Sequence, residues 1–175
     1  MMENTTTVDI LAEDLPEFPE LVRMHQRMVF SIANHFLHES AGAEEVAQDV
    51  FMQLYRTLPS MKSEDHVIAW LYKVTGHRCI DYARRRRRDL SLDEIPEPVS
   101  EAAGGDPFLD SRLRSTVASL PPKARIVVIL RYQEDLKPEE IARVLGWRLN
   151  TVKSQLRRSL KMLRTKLSGV FGDQK

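Results

Sequence analysis

The chain has 175 residues, a formal net charge of +1 at pH 7 and a single cysteine, Cys79. This length allows one or two small domains, and the cysteine count excludes an intrachain disulfide and an all-cysteine zinc site. Because no apolar run approaches 18 residues and no signal-peptide pattern is present, we expect a soluble, cytoplasmic protein without membrane insertion.

Charge is distributed very unevenly along the chain. Residues 1–20 carry six acidic groups and no basic one, whereas Arg84–Arg88 are five consecutive arginines. Residues 1–15 show no clear periodicity, which predicts a flexible acidic tail. The local patches are therefore more informative than the overall charge.

Two helices are predicted next, from about Pro16 to Leu37 and from about Ala43 to Leu58, with a break at 38–42. In the second helix the apolar side chains recur every four residues, which indicates one buried face. That face comprises Val46, Val50, Leu54 and Leu58, joined by Ala47, Phe51 and Tyr55. The opposite face is acidic and amide-rich, a composition that is ordinarily just solvated; it comprises Glu44, Glu45, Gln48, Asp49 and Gln53.

A turn-rich loop over 59–65 precedes a third helix, predicted from Asp65 or His66 to the arginines. This helix interleaves aromatic and basic side chains, as single-stranded nucleic acid binding requires. The alternative is that Trp70 and Tyr82 are core residues. Gly76 weakens the helix by about 1 kcal/mol relative to alanine, and it permits a close backbone approach.

The composition changes over 89–106, where prolines, glycines and acidic residues predict a linker. A second helical module is predicted from Pro107 onwards. Its densest apolar segment runs from Ala124 to Tyr132, and its β-branched residues are also compatible with a strand. Because no partner strand is evident elsewhere in the sequence, we predict an all-α protein with two small helical modules.

The segment from Leu136 to Leu167 has the pattern of a helix-turn-helix. Pro138 suits the first turn of a short helix, Gly146 suits the left-handed residue that ends it, and Asn150 or Thr151 is expected to cap the next helix. Residues 141–172 contain eight Lys or Arg and no Asp or Glu. An apolar stripe beside this basic face is typical of a recognition helix. The alternative is a solvated basic helix in a bundle.

Four segments in this order resemble the bacterial RNA polymerase sigma factors of the sigma-70 family, specifically the extracytoplasmic-function (ECF, group 4) type. They are AEEVAQDVFMQLYR at 43–56, AWLYKVTGHRCIDYARRRRR at 69–88, SLPPKARIVVILRY at 119–132 and LKPEEIARVLGWRLNTVKSQLRRSLKML at 136–163. The resemblance implies sigma region 2 over 16–88, a linker over 89–106, and sigma region 4 with a helix-turn-helix over 107–170.

The resemblance also implies roles for individual residues. It places docking to the β′ subunit of core RNA polymerase on Glu45, Gln48, Asp49 and Gln53. It places recognition and melting of the −10 element on Ser60, Lys62, Ser63, Asp65, Trp70, Lys73, His77, Arg78, Arg84 and Arg85. Recognition of the −35 element falls on Asn150, Thr151, Lys153, Ser154, Arg157, Arg158 and Lys161.

Two positions depart from the family pattern. Many members have Asn where this chain has His77, and a small apolar residue where it has Thr75. Histidine and asparagine both form hydrogen bonds with bases, but in different geometry, so the −10 preference of relatives does not transfer. A surface histidine without base contact is the alternative for His77.

The expected function is therefore that of a sigma factor, which is not an enzyme and needs no cofactor or metal. Its expected partners are the β′ and β subunits of core RNA polymerase, promoter DNA and an anti-sigma factor, and it would associate with the nucleoid when bound to polymerase. Two alternatives remain open: a helix-turn-helix transcriptional regulator, and a sigma-like decoy that binds an anti-sigma factor.

Overall fold

The computed structural model describes residues 15–89 and 107–171, so the predicted acidic tail and linker lie almost entirely outside the described residues. Within them the chain forms seven α-helices and no strand, which confirms the all-α prediction. The helices are α1 (Phe18–Leu37), α2 (Ser40–Thr57), α3 (Glu64–Asp89), α4 (Pro107–Ala118), α5 (Pro122–Tyr132), α6 (Pro138–Leu145) and α7 (Leu149–Phe171), with a short 3-10 turn at Leu58–Ser60.

The helix α2 begins three residues before its predicted start and includes Gly42. The break between α1 and α2 is confined to His38, whose φ of 57° ends α1 in the left-handed region, and Glu39. A Cβ on Gly42 would lie 2.7 Å from the hydroxyl oxygen of Tyr82, so a larger residue there would have to displace the Tyr82 side chain from this packing of α2 on α3. The Tyr82 hydroxyl then donates a 3.1 Å hydrogen bond to Glu39.

The helices α1, α2 and α3 form the N-terminal module around a core of aliphatic side chains. Leu21, Ile32, Phe36, Leu54 and Leu71 are fully buried in it. The predicted apolar spacing on α2 is confirmed for Val46, Val50 and Leu54. Tyr55 was predicted on the same buried face but is 66% exposed, with its ring edge-on to Phe18, the first residue of α1.

The helix α5 is the centre of the C-terminal module. Residues 126–130 are five consecutive buried side chains, a pattern that no single helix face could produce. The reason is that α5 is covered by α6 and α7 on one side and by α1 and α3 on the other. The apolar density that also suggested a strand thus reflects a helix buried all round.

Candidate nucleic-acid interface

The polar face of α2 is open to solvent along about two turns of the helix. Glu45 and Gln48 are exposed, and Asp49 and Gln53 are half-buried. Since residues three, four and eight apart lie on one side of a helix, these four side chains form a single surface. We call these four residues the α2 face.

Two apolar side chains extend this surface, and sequence reasoning did not assign them to it. Met52 is 56% exposed and Tyr55 is 66% exposed, and their spacing from Glu45 and Gln48 puts them on the same side of α2. Isolated exposed apolar residues are common, but two together beside polar groups are typical of protein interfaces. The sequence contained a signal for this surface, because Met52 is apolar whereas Glu45 and Gln48 on the same side of α2 are polar.

A second surface lies along α3. Trp70, Lys73, His77 and Arg84 recur at spacings of three, four and seven residues and therefore share one helix face, which extends over roughly 21 Å. Lys73 and Arg84 are exposed, and His77 is half-buried. Trp70 is also half-buried and packs against the core, so one side of its ring is structural and the rest is accessible.

Arg78 was predicted with this DNA-binding set, but its side chain points the other way. Its guanidinium donates a 3.1 Å hydrogen bond to Gln53 and lies 3.8 Å from a carboxylate oxygen of Asp49. Both partners belong to the α2 face. In the free chain Arg78 therefore supports that face instead of extending the basic surface of α3.

The arginine run ends α3 and is only partly available to an anion. Arg84 and Arg85 are exposed, and Arg84 lies 4.0 Å from Asp81. Arg86 instead forms an ion pair with Glu39, which ties the end of α3 to the start of α2. Arg84 and Arg85 are accessible because the helix directs their side chains away from α2.

The loop before α3 is anchored by local hydrogen bonds. Ser60 donates to the Thr57 carbonyl at 2.7 Å, and the Ser63 hydroxyl accepts the His66 N–H at 3.2 Å. Ser63 therefore caps α3, a use of its side chain that the sequence prediction did not include. Lys62 and Asp65 remain exposed beside it.

The helix-turn-helix is built from α6 and α7. The helix α6 begins at Pro138, as predicted, and the Glu140 carboxylate accepts the Lys137 N–H at 2.6 Å, which compensates for a weak capping residue. Gly146 ends α6 with φ 68°, the left-handed conformation expected there. The helix α7 begins at Leu149, so Arg148 and not Asn150 or Thr151 occupies the capping position.

This start leaves the first turn of α7 free to meet a ligand. Asn150, Thr151 and Lys153 are exposed and Ser154 is half-buried, while Val152 is fully buried under them. Lys153 lies 3.5 Å from Glu139 of α6. Further along, Arg157, Arg158 and Lys161 are exposed, so the predicted −35 set forms one continuous basic surface.

A half-buried arginine organises the region between the modules. Arg125 of α5 donates 2.8 Å and 3.2 Å hydrogen bonds to the carbonyls of Phe36 and Leu120, and it also bonds to the Ala118 carbonyl. Its guanidinium lies 4.9 Å above the Phe36 ring, and burial lowers its pKa. A cation is favourable there because the carbonyls at the end of α1 carry partial negative charge.

Neighbouring titratable groups respond to the same burial. Desolvation and the positive charge of Arg125 lower the pKa of His38 to about 4, with smaller effects from His35 and Arg114. Desolvation raises the pKa of the Cys79 thiol to about 12. Desolvation also raises the pKa of Tyr72 to about 12, and the nearby Glu134 carboxylate adds to this effect. The Cys79 thiol and the Tyr72 hydroxyl are therefore both neutral at physiological pH.

Within residues 15–89 and 107–171, no cluster of three or more His, Cys, Asp or Glu side chains has a geometry suited to a metal ion. His35, which lies three residues before His38, bonds instead to the Ser31 carbonyl at 2.8 Å. None of the helices in these two segments is both long enough and apolar enough to span a membrane.

Comparison with protein-family models matches both modules. Residues 21–89 match sigma-70 region 2, and residues 110–163 match sigma-70 region 4. Both segments coincide with the surfaces described above: the first contains the α2 and α3 faces, and the second contains the helix-turn-helix.

Curated relatives extend this similarity along the chain. The ECF RNA polymerase sigma factor SigE of Mycolicibacterium smegmatis is 31% identical over 163 residues, which are 88% of this chain and 63% of SigE. The RNA polymerase sigma factor SigV of Bacillus subtilis is 26% identical over 144 residues, covering 82% of this chain and 87% of SigV. This chain thus spans less than two thirds of SigE but most of SigV.

Two solved structures share the fold. RpoE of Bartonella quintana, in complex with the anti-sigma factor NepR, matches with a TM-score of 0.74 and 19% identity over 86% of this chain and 96% of that one. CnrH, in complex with the cytosolic domain of CnrY, matches with a TM-score of 0.59 and 23% identity over 90% and 89%. The fold and the two family-model matches together define an all-helical protein of the sigma type with a helix-turn-helix. The chain belongs to the sigma-70 family of bacterial sigma factors, in its extracytoplasmic-function branch.

Proposed function

We propose that this chain binds core RNA polymerase and directs it to promoters with −35 and −10 elements, where it aids melting. The observation that carries the proposal is the presence of two separate basic surfaces, on α3 and α7, together with a third surface of protein-interface character on α2. A regulator that binds only duplex DNA needs the α7 surface alone. A sigma factor needs all three.

The α2 face is proposed to dock on the β′ subunit of core polymerase. Its polar groups suit a reversible interface, and the exposed Met52 and Tyr55 supply the apolar contact that polar groups alone lack. Arg78 holds Asp49 and Gln53 in place from behind. We therefore propose a positioning role for Arg78 in docking, in addition to the DNA contact predicted from the family.

The α3 surface is proposed to bind the displaced strand of the −10 element. The accessible part of Trp70 offers a stacking surface, Lys73 and Arg84 offer positive charge, and His77 offers a hydrogen-bonding group between them. Ser60, Lys62 and Asp65 lie at the loop that leads into this helix. Unstacking a base costs a few kcal/mol, which contacts made only with the open strand must offset.

The α7 surface is proposed to read the −35 element in the major groove. Asn150, Thr151, Lys153 and Ser154 lie on the first turns, where recognition helices contact base edges. Arg157, Arg158 and Lys161 lie one to two turns further on, where phosphate contact is expected. Glu139 restrains Lys153 at 3.5 Å and so limits the positions that its ammonium group reaches.

An anti-sigma factor is proposed as a further partner, because the structurally similar RpoE of Bartonella quintana was solved in complex with the anti-sigma factor NepR. The proposed role also places the chain in the cytoplasm, with the nucleoid as its site of action.

In vitro transcription tests the proposal directly. Core RNA polymerase is mixed with the chain and a genomic promoter library, and transcript start sites are mapped. Specific initiation that depends on the chain is the expected result. Duplex binding without initiation would support a helix-turn-helix regulator instead, and binding to neither DNA nor polymerase would support a decoy.

A further inference from the structure

A carboxylate lies beside the basic surface of α7. Glu139, the second residue of α6, has its Oε1 atom 3.5 Å from Nζ of Lys153. Because residues 141–172 contain eight Lys or Arg and no Asp or Glu, this negative charge comes from the neighbouring helix and not from α7 itself. Each side chain of the pair is a little over half exposed, so the pair faces outwards on the surface proposed to meet DNA.

Stability is a poor explanation for the position of Glu139. The capping of α6 is done by Glu140, whose carboxylate accepts the Lys137 N–H at 2.6 Å and also supplies negative charge at the start of the helix. An ion pair between two exposed side chains contributes little to the free energy of unfolding. The pair therefore invites the question of what its two groups present to a ligand.

Both members of the pair stand on a rigid frame. On each helix a fully buried residue lies within two positions of the pair, Ile141 on α6 and Val152 on α7. The Trp147 N–H donates to the Ala142 carbonyl at 2.9 Å and so closes the turn between the helices. Since the rotation of each helix is fixed, the carboxylate and the ammonium group are held side by side.

The two groups match the edge of one base pair in the major groove. A G·C pair presents the acceptor O6 of guanine next to the donor amino group of cytosine, and these atoms are about 2.9 Å apart because they bond to each other. The ammonium group of Lys153 is a donor, and the carboxylate of Glu139, 3.5 Å away, is an acceptor. Each group of the pair thus meets its complement on one of the two bases.

The order of donor and acceptor makes this contact directional. On the reversed C·G pair the ammonium group would face an amino group, and the carboxylate would face a carbonyl oxygen. A T·A pair has the same order as G·C, but guanine offers N7 beside O6, so Lys153 meets two acceptors there and one on thymine. The expected preference is G·C first, then T·A, with both reversed pairs disfavoured.

The carboxylate also disfavours contact with the DNA backbone. Phosphates repel Glu139, so a lysine that served only as a phosphate contact would lose affinity from this neighbour. At a base edge the same carboxylate finds an amino group to accept from. A repulsive element of this kind raises specificity because it weakens the wrong placement more than the right one.

We infer that Glu139 is a specificity-determining residue of the α7 surface, and that together with Lys153 it reads one G·C base pair across both strands. The inference rests on the proposed function in one respect, the entry of α7 into the major groove. Lys153 is the fifth residue of α7, within the first turns from which recognition helices reach base edges.

Selection from duplexes with a randomised segment tests the inference. The full chain is incubated with the duplexes at low salt and the bound fraction is sequenced. In parallel, a promoter found by start-site mapping is given a randomised −35 region and is transcribed with core polymerase. Wild type should prefer G·C to C·G at one position by about five- to 150-fold. Glu139→Ala should bring this ratio close to one there and leave the preferences at other positions unchanged.

Two further variants sharpen the test. Lys153→Ala should relax the same position, and the double variant should relax it no further, because one shared contact is lost only once. Asp135→Asn is the charge-matched control: it removes one negative charge from the same module, where the carboxylate pairs with Arg131 and not with α7. Asparagine tolerates the φ of 51° at this position, so the control should select as wild type does.

The outcomes separate this inference from the proposed function. The inference is overturned if neither assay shows a directional G·C preference, or if Glu139→Ala retains it. It is also overturned if Glu139→Ala binds all duplexes more tightly with unchanged preferences, since Glu139 would then be a general repulsive charge. If Glu139→Ala relaxes the preference in the duplex assay but wild type initiates no transcription, the proposed function fails and the base-pair reading stands. Initiation without the directional preference would give the opposite result.

Discussion

Single side chains in this protein have roles that depend on what surrounds them. Thr75 and His38 are the clearest cases, because each places a polar atom in a buried position. The Thr75 hydroxyl oxygen and His38 Nε2 have no hydrogen-bond partner among the described residues. Each makes a specific prediction about stability.

For Thr75 we expect Thr75→Val to stabilise the fold. The side chain is fully buried, and valine keeps its shape while removing an unsatisfied hydroxyl. The expected gain is about 1 kcal/mol, or about 2–4 °C in Tm for a chain of this size. Thermal unfolding followed by circular dichroism measures it. A lower Tm for the variant would show that the hydroxyl has a partner in solution. Thr75→Ser keeps the hydroxyl but removes a buried methyl group, so it should lower the Tm.

For His38 we expect a pH dependence of stability. Its pKa is about 4 when folded and about 6.5 when unfolded, so the unfolded state takes up the proton first. Above about pH 6.5 this group has no effect; as the pH falls from 6.5 towards 4, it destabilises the fold. Because the side chain is only partly buried, the slope should be below the roughly 1.4 kcal/mol per pH unit of a fully buried group.

Urea unfolding of wild type and His38→Asn between pH 4.5 and 7.5 measures this slope. Asparagine tolerates the left-handed backbone that His38 adopts at φ 57°, so the variant removes the titration without straining the turn. A smaller slope is expected in the variant, with some remaining because burial also lowers the pKa of His25. Identical slopes would assign the pH dependence to other groups.

At the scale of elements, α7 and α2 each present one face with a proposed function, and each proposal predicts a different defect. For α7 we expect Lys153→Ala and Arg157→Ala to reduce specific transcription while leaving core polymerase binding intact. Loss of a base contact costs about 1–3 kcal/mol, whereas loss of a phosphate contact weakens binding to all sequences and lowers the salt slope by about one. Promoter titrations at several salt concentrations distinguish the two.

Lys166→Ala is the control for α7, because Lys166 lies on another side of the helix and bonds to Ser119. It should retain normal transcription. Unchanged activity in both Lys153→Ala and Arg157→Ala would show that α7 is not the recognition helix.

For α2 we expect Gln48→Ala combined with Asp49→Arg to reduce binding to core polymerase, because the substitutions remove a polar contact and reverse a charge in the α2 face. The same reversal at Glu20→Arg, on the exposed part of α1, is the charge-matched control. A pull-down with core polymerase measures the effect. Recovery at the wild-type level would place docking elsewhere.

At the scale of the whole molecule, burial makes Cys79 a reporter of global structure. Burial raises the pKa of the Cys79 thiol to about 12, so the thiol is neutral at pH 8, and its full burial also makes it inaccessible. We expect very slow alkylation in the native chain and an increase that follows unfolding in urea. Tryptophan fluorescence recorded in parallel provides the comparison. Rapid alkylation without urea would show that the core around Cys79 opens readily.

The sequence by itself determined the helices, the buried stripe of α2 and the exposed basic surface of α7. Residues spaced three and four apart define a buried stripe wherever a helix packs on one side only, so Val46, Val50 and Leu54 were identified correctly. Gly146 and Pro138 mark the turn of the helix-turn-helix because backbone geometry depends mainly on the local residue type. The exposed basic residues of α7 were predictable for the same local reason.

Tertiary structure decided what local rules cannot. Three features depend on helices that are distant in sequence. They are the direction of Arg78 towards Asp49, the exposure of Tyr55, and the close packing of Leu145 against Gly76. Periodicity specifies which side of a helix is apolar, but it does not specify which neighbour covers that side. The contact between the two modules was therefore not predictable from the sequence, although the glycine and the all-round apolar α5 that permit it were both visible there.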